Sequence, residues 1–322
     1  MNTRKTVNNI LKIAFPLLFG GAILYWMYRD FDFRSIENIL INEMRWTWML
    51  LSFPFGILAQ MFRGWRWRQT LEPVGEYPRS STSVNSIFLS YAASLVIPRI
   101  GEFTRCGVLK RYDGVSFPKA LGTVVTERAI DTLLMLFVTM LTLLMQMRVF
   151  TTLFSTTGYI VTAACAIAAI FLIHILLKKL SIYNKVKATM GGIWQGVISL
   201  KSVKNVPLFI FYTLGIWVSY FLHYYLTFFC FDFTSSLGFQ CALVTFVVGS
   251  IAVIVPTPNG AGPWHFAVKT MLILYGVSDT NALYFVLIVH TVQTMLVILL
   301  VIYVGAALAF TKKRHAAHTA ET

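Results

Sequence analysis

Five ionisable residues fall within or beside apolar stretches of the chain: Arg99, Glu102, Glu127, Arg128 and Asp131, with Arg105 close behind. A charge at the centre of a bilayer costs about 2.5–3.5 kcal/mol even on the insertion scale, so such side chains must pair or face a wet cavity. Glu127 and Asp131 are spaced i,i+4 and share a helix face, and Arg128 and Asp131 are i,i+3 neighbours. Two chemistries are open to this set: a structural ion-pair network, or a hydrated pocket for a charged headgroup. Arg99 and Arg128 are the expected phosphate or carboxylate contacts, because a guanidinium matches those oxygens in pairs.

A second polar set lies in the uncharged stretch 233–268 and just beyond it: Thr257, Asn259, His265 and Lys269, around backbone opened by Gly260 and Gly262. Free N–H groups at the start of a half-helix there can take an anionic oxygen. His265 reads either as a proton-linked group or as a satisfied buried histidine. Metal chemistry has no support in the spacing, since no HExxH or related pattern occurs. Nor is there a Gly-rich loop followed by Lys-Ser/Thr, or a Gly-x-Ser-x-Gly, so neither ATP hydrolysis nor a nucleophile elbow is expected. No cofactor is expected. The four cysteines are scattered without CxxC spacing and read as buried small apolar side chains.

The elements that must position these residues follow from composition. Of 322 residues, 57% are hydrophobic and 12% charged, about half the charge of a soluble domain. With a mean hydropathy of +0.69, this is an integral membrane protein by composition, and the 15% aromatic content fits interfacial belts. Apolar runs of about 20 residues mark spans: 13–28, 46–62, 117–147, the C-terminal part of 149–177, 205–231 and 280–311. The first run has no signal-peptide cleavage pattern and is expected to be a retained span.

Two runs break. One stops at Pro98-Arg99-Ile100-Gly101-Glu102, the other at Pro256-Thr257-Pro258-Asn259-Gly260-Ala261-Gly262-Pro263. Pro and Gly at these densities end helices, and non-helical backbone at membrane depth survives only inside protein or beside water. Residues 83–112 and 237–275 are therefore expected to be re-entrant hairpins. The expected fold is all-α and polytopic, with about six full spans plus two hairpins and both termini cytoplasmic. That arrangement places 20 of the 27 basic residues inside and 4 outside. The chain reads as one integral membrane domain: approximate repeat halves 46–177 and 205–311, a basic cytoplasmic loop 178–204, and a polar tail 312–322.

The halves resemble each other. Gly114-Val115-Ser116 then Ala120-Leu121 recurs as Gly276-Val277-Ser278 then Ala282-Leu283, five of eight positions at an offset of 162. Each copy follows a hairpin and opens a long helix, with Ser as candidate N-cap. Because the hairpins enter from opposite sides, the repeat is expected to be inverted, a transporter signature with the substrate site near the midplane. The same offset sets His290 against Arg128 and Gln293 against Asp131. Arg63-Gly64-Trp65-Arg66-Trp67-Arg68 is expected to be an interfacial segment on anionic lipid, as is the basic loop, rather than a nucleic-acid contact.

These motifs resemble the flippase-like, lysylphosphatidylglycerol synthase transmembrane-region family, over about residues 46–310. The resemblance rests on Pro98-Arg99-Ile100-Gly101-Glu102 with Arg105, on Glu127-Arg128 with Asp131, and on Pro258-Asn259-Gly260-Ala261-Gly262. It implies translocation of a phospholipid, aminoacyl-phospholipid or polyprenyl-phosphate-linked lipid across a bacterial inner membrane, with Arg99, Glu102, Arg105, Glu127, Arg128, Asp131, Asn259, Gly260, Gly262, His265, Lys269 and His290 as substrate-binding candidates. A glutamate often stands three residues after the last motif glycine; here that position is His265. Fused members carry an additional aminoacyltransferase domain; no such domain is expected within these 322 residues, so synthase activity is not carried over from the resemblance. The alternatives are a membrane-embedded lipid transferase using Glu102 or Asp131 as base, or a module recruiting a cytoplasmic synthase through the basic loop. Expected partners are a membrane lipid with a charged headgroup and an anionic lipid surface.

Overall fold

The computed structural model describes residues 17–29, 31–146 and 203–313. All elements among them are helical. The predicted span in 149–177 and nearly all of the basic loop 178–204 lie outside the described residues, as does the tail from Arg314. Two compact units are present, Met1–Leu121 with Val203–Thr322, and Gly122–Ser202.

The first unit begins with α1, Leu17–Tyr28. A short helix and π-helical turn, Arg34–Asn38 and Ile39–Glu43, lead into α2, Trp46–Leu71. Then come α3, Ser80–Val96, and α4, Ile100–Asp113. Helix α5, Phe117–Met145, starts here and runs on into the second unit. The first unit resumes with α6, Val206–Tyr225, extended by a 3-10 turn to Cys230. It closes with α7, Gly238–Ala252, α8, Pro263–Leu274, and α9, Asp279–Ala309. Phe117–Met145, Val206–Cys230 and Asp279–Ala309 are long and apolar enough to cross a bilayer. This is a helical membrane protein.

Both broken stretches fold into helical hairpins. At about 1.5 Å per residue, α3 rises about 25 Å and α4 about 21 Å, short of the ~30 Å hydrocarbon core. Each hairpin is closed by a glycine where a side chain has no room. A Cβ on Gly101 would lie 2.2 Å from the Ser90 carbonyl oxygen, and one on Gly249 would lie 2.9 Å from Trp264 Nε1. The hairpins pack at opposite ends of α9. Cys241, Val268 and Leu272 share a core with Ala282, Phe285, Val286 and Val289, whereas Val84, Phe88 and Val108 pack with Val304 and Leu308. The two bends therefore approach the middle of α9 from opposite ends.

The repeated Gly-Val-Ser is structural in both copies. Gly114 and Gly276 take φ of +70° and +89°, left-handed values natural to glycine at a helix end. Val115 and Val277 turn their N–H groups back to Leu109 and Leu272, at 3.4 and 3.0 Å. Ala120 and Ala282 are both fully buried. Ser278 Oγ caps α9 by accepting from the Asn281 N–H at 3.3 Å.

One expectation fails. The span predicted to end at Phe62 continues as helix to Leu71, and the Arg-Trp segment is not wholly interfacial: Arg63 and Arg66 are 7% and 0% exposed. The first charge after the apolar run is therefore not where this helix ends. The buried face of α2 repeats at helical spacing straight through it, at Gly56, Ala59, Gln60, Arg63, Gly64, Trp67 and Leu71.

Candidate functional site

At the first bend Arg99 adopts a left-handed conformation, φ +64°, unusual for a non-glycine residue. Its side chain is exposed and Nη2 donates to the Ile254 carbonyl, 3.1 Å away, just beyond α7. Bend therefore meets bend. Glu102 sits in the first turn of α4, where the helix N-terminus favours a carboxylate. Arg105, one turn further, is 2% exposed, its guanidinium 4.4 Å from the centroid of the Trp67 ring. That stack is a cation–π contact in a dry setting.

The second bend is a polar knot. Asn259 is the other non-glycine residue at positive φ among the described residues, +52°, followed by Gly260 at +71° and Gly262 at +91°. Asparagine tolerates this region better than most side chains. The Asn259 carboxamide donates from Nδ2 to Thr294 Oγ1 at 2.7 Å. The Asn259 backbone carbonyl oxygen lies 3.1 Å from His290 Nε2, so that nitrogen donates to it. His265 is 3% exposed and its Nδ1 accepts from the Gly262 N–H at 3.4 Å. The two imidazoles lie 4.4 Å apart, centroid to centroid, and Trp264 lies 5.2 Å from His290. Helix α1 presses on this bend through Gly20, where a Cβ would meet the Ala261 carbonyl oxygen at 3.0 Å and Thr257 at 3.2 Å.

Of the predicted residues, Asn259, Gly260, Gly262, His265 and His290 thus come together. Lys269 does not join them by its contacts: it pairs with Asp279 at 2.8 Å and ties α8 to the start of α9. In the second unit, Glu127 and Asp131 are buried, and Arg128, 45% exposed, lies 3.7 Å from Asp131. Sequence reasoning missed Thr294, Arg63 and Arg66. Thr294 was legible only as one turn beyond His290; the two arginines carry no local signal of burial, because charges that follow an apolar run read as its edge. Among the described residues no group of three metal-ligating side chains is assembled.

No curated protein and no solved structure matches this chain. The family model described as the lysylphosphatidylglycerol synthase transmembrane region does match, over residues 13–301. With nearly the whole chain covered, its helical hairpins and apolar helices in place, the protein belongs to the lysylphosphatidylglycerol synthase transmembrane-region family, a membrane family concerned with lipid.

Proposed function

We propose that the protein is a multi-pass inner-membrane translocase for a lipid with a charged headgroup: a phospholipid, an aminoacyl-phospholipid or a polyprenyl-phosphate-linked lipid. The observation that carries this reading is the meeting of the two bends, where Arg99 is bound to the Ile254 carbonyl yet keeps its side chain exposed. Discontinuous helices whose ends meet inside the membrane supply ligand groups there in transporters. On this reading the hairpins are re-entrant and inverted, and the headgroup crosses in a lateral groove while the acyl chains stay in lipid. Arg99 and Arg105 hold headgroup anions, with Glu102 orienting them. Within the second unit, taken by itself, Arg128, set by Asp131, is a further contact for a headgroup anion, and Glu127 one for an amino group. The Asn259–His290–Thr294 knot fixes the second bend.

The test is headgroup accessibility in liposomes holding the purified protein. Fluorescent phosphatidylglycerol, aminoacyl-lipid and polyprenyl-phosphate probes are each quenched from outside. Loss of the protected inner-leaflet signal with one probe, and its retention with Arg99→Ala or Arg128→Ala, is the expected result. If every probe stays protected as in protein-free liposomes, translocation of these lipids is rejected. If the purified protein instead turns a lipid over with an acyl or aminoacyl donor, it is a transferase.

A further inference from the structure

Two arginines of α2 have no role in that reading. Arg63 and Arg66 are one turn apart and buried, and Trp67 beside them is fully buried. Arg66 Nη1 donates to Thr213 Oγ1 on α6 at 3.4 Å, and the Arg63 guanidinium lies 5.8 Å from the Tyr220 ring centroid. The hydroxyl of Tyr220 is hydrogen-bonded to that of Tyr91 on α3. From α4, Arg105 stacks on Trp67. Three guanidiniums are thus held around two turns of one helix, out of water.

The same turns of α2 are pressed onto α3. A Cβ on Gly64 would lie 2.8 Å from Val84 Cα. The two residues preceding Val84 are Thr82 and Ser83, 1% and 0% exposed. Thr82 Oγ1 and Ser83 Oγ have no hydrogen-bond partner among the described residues. A buried hydroxyl without a partner costs about 1–3 kcal/mol and normally marks a missing ligand group or water.

We propose that Arg63, Arg66 and Arg105, with the Thr82 and Ser83 hydroxyls, form a phosphate site that holds a lipid phosphate, a phosphomonoester or diphosphate more tightly than a phosphodiester. The inference rests on the lipid-handling reading above and names its substrate chemistry. A carboxylate offers two oxygens and one charge. A terminal phosphate offers three oxygens and close to two charges, which matches several fork-shaped donors plus two hydroxyls. The arginines already engage protein groups; the phosphate adds to those contacts, and the stacked and hydrogen-bonded guanidiniums arrive pre-oriented.

The experiment measures binding to the full-length protein in detergent, with no transport step. Dihexanoyl phosphatidic acid is compared with dihexanoyl phosphatidylglycerol, with dihexanoylglycerol and with inorganic phosphate. Phosphatidic acid is expected to bind at least tenfold more tightly than phosphatidylglycerol, and the diglyceride not detectably. Arg66→Gln should weaken phosphatidic acid at least tenfold, with partial recovery in Arg66→Lys. Thr82→Val and Ser83→Ala remove no charge and should each weaken it several-fold, so they carry the test if Arg66→Gln does not fold. Competition by inorganic phosphate supports the site with free phosphate as a second source. Its failure to compete supports the site with lipid as the source. Equal binding of the diglyceride, or wild-type affinity in the folded hydroxyl variants, overturns the proposal. Selective phosphatidic-acid binding in a protein that moves no lipid would leave the site standing and remove the translocase reading.

Discussion

Arg99 and Ile254, 155 positions apart, are joined by a 3.1 Å hydrogen bond from the guanidinium to the backbone carbonyl. This bond ties together the bends of two hairpins that approach from opposite ends of α9. The arginine reaches it from a left-handed backbone, which costs a non-glycine residue roughly 1–2 kcal/mol. Arginine at this junction of two broken helices therefore carries a backbone cost that glycine would not.

Arg99→Gly separates strain from function. Relief of the left-handed strain, about 1 kcal/mol, offsets loss of an exposed hydrogen bond worth about the same. Thermal unfolding in micelles should therefore shift little, while probe translocation in liposomes should fall at least tenfold. A Gly variant that transports at the wild-type rate would show that Arg99 serves only the bend.

Gly101 and Gly107 lie on the same helix and predict opposite outcomes. Gly101→Ala drives a Cβ to 2.2 Å from the Ser90 carbonyl and 2.6 Å from Ser94 Oγ. The obstacle is backbone, so the α3–α4 hairpin must open, at about 3 kcal/mol for overpacking of this severity. Gly107→Ala meets nothing within 4 Å and should stabilise α4 by about 0.5–1 kcal/mol. Unfolding midpoints of the two single variants check both signs.

Much of this was open to sequence reading because Pro and Gly act locally. Pro98-Arg99-Ile100-Gly101 and Pro258-Asn259-Gly260 break helices wherever they occur, and Gly-Val-Ser ends one helix and starts the next in both copies. What stayed hidden was set by tertiary contact. Nothing local in the sequence foretells that Lys269 pairs with Asp279, 2.8 Å away. Arg63 and Arg66 read as surface residues because a charge is costly in apolar surroundings. Their burial depends on Thr213 and Tyr220 of α6, about 150 residues distant in sequence.

The Asn259–Thr294 bond should behave as a coupled pair. Asn259→Ala loses the 2.7 Å bond and also places alanine at a φ of +52°, so it should cost about 2 kcal/mol. Asn259→Gly loses the bond but accepts the backbone, and should cost roughly half that. A double-mutant cycle with Thr294→Val should return a coupling of about 1 kcal/mol. A coupling near zero would mean that the side-chain bond does not hold the second bend.

Lys269 and Asp279 test whether the ion pair acts in folding alone. Asp279 is 64% exposed on its side chain and Lys269 16%, so the pair contributes no more than about 1 kcal/mol. Lys269→Met should cost less than that in micelles, because its stem is buried and methionine refills the space. Exchanging the two residues restores the opposite charges but sets a lysine in the first turn of α9, where the helix N-terminus disfavours a cation by about 0.3–1 kcal/mol. The exchanged protein should thus remain slightly less stable than the wild type, with the deficit shrinking as salt screens the helix end. Translocation should survive in both variants. A Lys269→Met protein that is fully folded yet inactive would return Lys269 to the substrate path.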